Sequence, residues 1–128
     1  MLFLMWCVRR CTFQITVVRK EMNMNMNEEF QIIQSCLMIR MPKEVDHHHA
    51  VRLKNTADKY IEGKDLSHVI FDFEQTEFMD SSGIGVIMGR YKKITTLGGK
   101  VMAIHVNDRV RRIFRISGLH KIIKIVEE

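Results

Sequence analysis

The stretch Phe78-Met79-Asp80-Ser81-Ser82-Gly83-Ile84-Gly85-Val86-Ile87-Met88-Gly89-Arg90-Tyr91-Lys92 holds both a turn and the start of an amphipathic helix. Ile84, Ile87, Met88, Tyr91 and Ile94 recur at helical spacing, with Arg90, Lys92 and Lys93 expected to point elsewhere. Just upstream, His68-Val69-Ile70-Phe71-Asp72-Phe73 is β-branched and aromatic on both faces apart from Asp72, as expected of a strand covered on two sides. A loop over residues 74–80 therefore joins a central strand to a helix N-terminus. At such a terminus the first backbone N–H groups lack internal partners and the helix dipole is positive, so a negative group on or beside the capping residue is tolerated. Ser81 sits at or beside that cap, with Asp80 next to it.

The same alternation extends outward. Phe30–Ile33 and Leu37–Met41 are short apolar runs separated by Gln34 and Ser35, which predicts a hairpin or a pair of adjacent strands ended by Pro42. Ala50, Leu53, Ala57, Tyr60 and Ile61 then mark a helix capped by Asp46 and closed near Gly63. Beyond Leu97-Gly98-Gly99, residues 101–104 read as a strand. A third helix follows, capped by Asn107 or Asp108, with Val110, Ile113 and Phe114 on its buried stripe and Gly118 as its stop. Residues 122–126 complete the pattern as a last strand. Strands alternating with helices predict an α/β domain: a mixed, mostly parallel sheet packed with amphipathic helices. In such sheets functional groups gather at the carboxyl ends of strands, which makes Asp46 and Ser81 expected neighbours. Asp46 can serve as a helix cap and as part of that site at once.

With 128 residues, 46% of them apolar, one domain with a core is expected. The formal net charge is +5, but Arg9, Arg10, Arg19 and Lys20 outweigh Glu21 by three, leaving a body close to neutral. That distribution weighs against a direct nucleic-acid partner. Cys7, Cys11 and Cys36 form no CxxC motif, which suits a reducing cytoplasm. The apolar run of residues 1–8 is too short to cross a bilayer, and its arginines follow rather than precede it, so neither an anchor nor a signal peptide is expected. Residues 1–23 show no sustained period and carry Trp6, the single tryptophan. Lys20-Glu21 is what a purine-rich ribosome-binding site would encode if read as protein. The expectation is an extension over 1–23, with translation starting at Met24 or a neighbouring methionine, and a domain over 24–128.

On these residues the chain resembles the STAS family, and within it the sporulation-type anti-sigma factor antagonists of spore-forming bacteria. The segment 78–92 carries the resemblance, supported by Glu44-Val45-Asp46-His47-His48 and Ser117-Gly118-Leu119-His120-Lys121-Ile122-Ile123. It implies the STAS fold and a partner switch. The unphosphorylated antagonist binds an anti-sigma factor, which then releases its sigma factor. The anti-sigma factor is also a serine kinase that uses its own ATP and magnesium to phosphorylate the serine matched by Ser81, and a serine phosphatase reverses the step. The expected docking residues are Asp46, His47, Asp80, Ser81, Ser82, Gly83, Ile84, Gly85 and Met88. No catalytic residue, metal or cofactor is expected in this chain, nor a membrane partner. Two departures stand out: Pro42-Lys43 replaces the glycine usual near the Asp46 loop, and the family's final helix, which covers the sheet, has no counterpart after residue 126. Its lack predicts exposed apolar surface.

Other readings carry less. His47-His48-His49 could attract zinc, but consecutive residues at a helix start diverge and no further ligands complete a shell. A serine hydrolase would want GxSxG and a base, neither of which the sequence nominates. Asp80 as an acyl-phosphate acceptor would want an acidic cluster that Glu77 alone does not supply. Within the family, a stress-response antagonist or another STAS scaffold is the alternative. Arg109, Arg111, Arg112 and Arg115 form a basic helix face, usually solvated, with contact to an acidic partner as the alternative. Gly83, Gly85 and Gly89 each cost a helix about 1 kcal/mol against alanine, which calls for close approach of either the sheet or a partner.

Overall fold

The computed structural model of the chain describes residues 29–63 and 66–126; the proposed extension over 1–23 and the start at Met24 lie outside them. β1 (Phe30–Ile33) and β2 (Cys36–Arg40) form an antiparallel hairpin turned by Gln34-Ser35, with Gln34 at φ 57. β3 (Glu44–Val45) leads into α1 (His47–Gly63), and β4 (His68–Asp72) follows. Next come β5 (Phe78–Met79), α2 (Ser81–Thr96), β6 (Lys100–Ile104), α3 (Asp108–Ser117), a 3-10 turn over Leu119–Lys121 and β7 (Lys124–Val126). The main sheet runs β1-β2-β4-β6-β7, with β2, β4, β6 and β7 parallel. β4 is its centre, and all five of its residues are buried.

Strand periodicity sends alternate side chains to opposite faces. Leu37, Ile39, Val69, Phe71, Val101 and Ala103 join the core that the three helices cover, together with Leu53, Ile61, Ile87 and Phe114. Phe73 packs its ring edge-on to Phe114 at 5.5 Å, locking α3 over the end of β4. On the other face, Cys36, Met38, Ile70, Met102, Ile104 and Val126 form a second cluster built, among the described residues, from strands alone. These side chains are buried, Ile70 and Ile104 fully, so the apolar exposure expected from the lack of a final helix is not found in them.

Three local expectations change. The loop over 74–80 contains β5, which pairs in parallel with β3 as a separate two-stranded sheet, Glu44 opposite Phe78 and Val45 opposite Met79. Arg90, expected to point outward, is only 5% exposed, while Val86 joins the core and Ile84, Met88 and Tyr91 pack half-buried against it. An inter-helix ion contact accounts for the inversion: Arg90 Nε lies 3.1 Å from Asp58 Oδ1 of α1, and Lys93 Nζ lies 3.2 Å from the same oxygen. The last strand begins at Lys124, since Ile122 and Ile123 are taken up in closing the turn through N–H bonds to the Leu119 carbonyl.

Candidate functional site

The small β3–β5 ladder positions two helix N-termini side by side. Because Val45 and Met79 are paired in register, Asp46 and Asp80 leave the ladder together, and the Asp80 N–H donates to the Val45 carbonyl at 3.1 Å. The approach to the ladder is tied down by side chains that sequence reasoning passed over. Buried Thr76 donates through Oγ1 to the Pro42 carbonyl at 2.9 Å, and Gln75 Nε2 donates to the Met41 carbonyl at 2.9 Å. Asn107, the cap of α3, donates through Nδ2 to the Thr76 carbonyl at 2.7 Å. Polar residues in a turn-rich stretch are too common to have marked these. Pro42 precedes the ladder, so its missing N–H takes nothing from it; the Lys43 carbonyl accepts from Glu77 N–H at 2.8 Å.

Each helix begins on an aspartate. Asp46 Oδ1 accepts from the backbone N–H of His49 at 2.9 Å and lies 2.8 Å from its Nδ1; the backbone bond first, then the imidazole, hold its carboxyl below the usual carboxylate range. Asp80, extended at φ −92 and ψ −173, accepts through Oδ1 from Ser82 N–H at 2.9 Å and Gly83 N–H at 3.2 Å. These are side-chain caps that satisfy donors the helix cannot.

Ser81 is the first residue of α2 and is exposed, and among the described residues its hydroxyl has no hydrogen-bond partner. Ser82 is half-buried, its Oγ 3.3 Å from His47 Nδ1 at the start of α1. The structure thus brings together Asp46, His47, Asp80, Ser81 and Ser82 as the sequence implied. Ile84, Gly85 and Met88 share the helical face of Ser81, with Gly85 exposed and the other two half-buried. Gly83 stands apart from the expected docking set: it is buried, and a Cβ there would lie 2.5 Å from Met79 Cγ and 2.8 Å from Val45 Cγ1. It is the close-approach glycine of the ladder. Gly85 and Gly89 have nothing within 4 Å of a Cβ. Phe78, 53% exposed beside Asp80, is a surface aromatic whose place follows from Met79 turning inward.

His47 faces Ser82, whereas His49 is engaged by Asp46, so the three histidines do not converge. The Ser82–His47 contact is a serine–histidine pair that the sequence did not nominate, yet Asp46 orients the other imidazole. Away from this edge, Asp72, Glu74 and His105 bring ligand atoms within 4.8 Å of one another, with His105 Nδ1 2.9 Å from Asp72 Oδ1.

The site is thus an exposed serine on the first turn of a helix capped by aspartate, on a small α/β domain. Residues 27–128 match the STAS domain model, and the chain belongs to that family. It is 36% identical to the anti-sigma F factor antagonist of Paenibacillus polymyxa over 104 residues, 81% of this chain and 89% of the relative. It is 30% identical to the anti-sigma-B factor antagonist of Bacillus subtilis (strain 168) over 103 residues, 80% of this chain and 92% of the relative. Among solved structures it resembles the anti-sigma factor antagonist SpoIIAA in its unphosphorylated form, with 27% identity and a TM-score of 0.69 over 77% of this chain and 87% of that one. The phosphorylated form of the Bacillus cell fate determinant SpoIIAA gives 27% identity and a TM-score of 0.62, over 77% and 92%.

Proposed function

We propose that this chain is a sporulation-type anti-sigma factor antagonist switched off by phosphorylation of Ser81. In the unphosphorylated state it binds an anti-sigma factor and so frees a sigma factor for transcription. The anti-sigma factor, acting as a serine kinase with its own ATP and magnesium, phosphorylates Ser81, and a serine phosphatase resets the cycle, all in the cytoplasm. The chain is ligand and substrate in this cycle, with no catalytic role of its own. The observation that carries the reading is the placement of Ser81: exposed, without a hydrogen-bond partner among the described residues, and at the positive end of α2.

The physics of the switch follows from that placement. A phosphoryl group adds about −1.5 to −2 charges. At a helix N-terminus the dipole favours that charge, so the domain stays folded. Asp80 stands next to it, and the added charge and bulk lie where a partner has to dock. The sporulation-type relative is more similar than the stress-type one, which favours the former as the model for the partner. The test is binding of purified cognate anti-sigma factor to the Ser81→Ala and Ser81→Asp chains. The alanine form is expected to bind and to release sigma factor, and the aspartate form to do neither. Equal binding by both would overturn the reading.

A further inference from the structure

Beside Ser81, α1 and α2 enclose a groove of about 410 Å³ whose lining includes His47, Lys54, Ser82, Gly85, Gly89 and Arg90, and no acidic residue. We infer that this groove receives an acidic segment of the anti-sigma factor, with Lys54 and His47 meeting its carboxylates. The inference deepens the switch proposed above and rests on it.

Three independent features point to an acidic occupant. Among the described residues Lys54 is exposed and makes no ion pair, so the groove mouth carries a lysine available to a visitor. Arg90 at the groove is 5% exposed; its Nε makes an ion contact with Asp58, but Nη1 is buried without a hydrogen-bond partner among the described residues. Asp58 is shared with Lys93, which Glu62 also engages at 2.8 Å, and the buried Nη1 donor left unmade is costly. Gly85 and Gly89 supply the third feature. Each sacrifices helix stability, yet a Cβ on either would meet nothing within 4 Å beyond its own helix backbone, so the space they leave is not filled internally. An open floor beside an exposed lysine, with no acidic residue in the lining, is complementary to an acidic rather than a basic visitor.

The arrangement also links docking to modification. Ser82 lines the groove and His47 touches its Oγ, so a phosphoryl group on Ser81 arrives at the mouth as a competing anion. It repels the incoming carboxylates and competes with them for Lys54.

The test uses the full chain and purified cognate anti-sigma factor, with affinity measured by calorimetry at low and high salt. Lys54→Glu is expected to weaken binding by about tenfold or more and to flatten its salt dependence. Gly85→Met, which fills the groove at a position free of internal contacts, should weaken binding while the melting temperature holds. Lys59→Glu, on the exposed side of α1 away from the groove, should stay within about twofold of the parent. Lys54→Glu and Gly85→Met binding as tightly as the parent, while Ser81→Asp has lost binding, would overturn the groove and leave the switch standing. Ser81→Asp binding like the parent, or a parent that fails to bind, would overturn both.

Discussion

Among single residues, Asp80 and Ser81 differ in what they do for the helix: the aspartate accepts from two of its orphan N–H groups, and the serine stands exposed. Asp80→Ala removes acceptors for two N–H groups and is expected to cost about 1 kcal/mol in urea denaturation. Asp80→Asn, which keeps an acceptor oxygen, should recover most of that loss. A different residue sets the response to acid. His68 is buried with Nε2 lacking a partner among the described residues, and burial, helped by the nearby Lys100, pushes its pKa below the ordinary 6.5. A depressed folded value means that the folded state binds fewer protons than the unfolded one. The stabilisation from neutral His68 is therefore held above 6.5 and lost as pH falls from there through the folded value. The melting temperature should fall on acidification below about 6.5, and His68→Val should flatten that limb; an unchanged limb in the variant would assign it to other groups.

At the level of elements, the three helices and β4 were legible because period and caps agree: Ala50, Leu53, Ala57 and Ile61 are the buried stripe of α1, and Gly118 closes α3 in the left-handed region at φ 83. The β3–β5 ladder was not legible, since two residues carry no period, yet it is what holds both N-termini together. Asp46 and Ser81 are neighbours as expected, but through this ladder rather than through the main sheet alone. Arg90 was misread for a related reason. Its burial depends on Asp58, thirty-two positions away on another helix, and local polarity alone points it outward. The glycines, ambiguous in sequence, separate in space and predict opposite signs. Gly83→Ala forces Met79 and Val45 aside and should destabilise by roughly 1–3 kcal/mol. Gly85→Ala meets nothing and should stabilise by roughly 0.5–1 kcal/mol. Chemical denaturation of the two variants checks both, and equal losses would contradict the distinction.

Across the described residues, the main sheet carries buried apolar clusters on both faces, and the proposed switch sits at one edge of it. Among the described residues no helix is long and apolar enough to cross a membrane. The central claim is that a dianion on Ser81 changes what the domain binds without changing what it is. The direct measurement treats the full chain with its cognate kinase and follows, in the same sample, amide chemical shifts and affinity for the anti-sigma factor. The account predicts shifts confined to the neighbourhood of Ser81, Asp80 and His47, an unchanged or slightly raised melting temperature, and loss of binding. Loss of binding accompanied by shifts throughout β4, β6 and the core, or a phosphorylated chain that still binds, would contradict it.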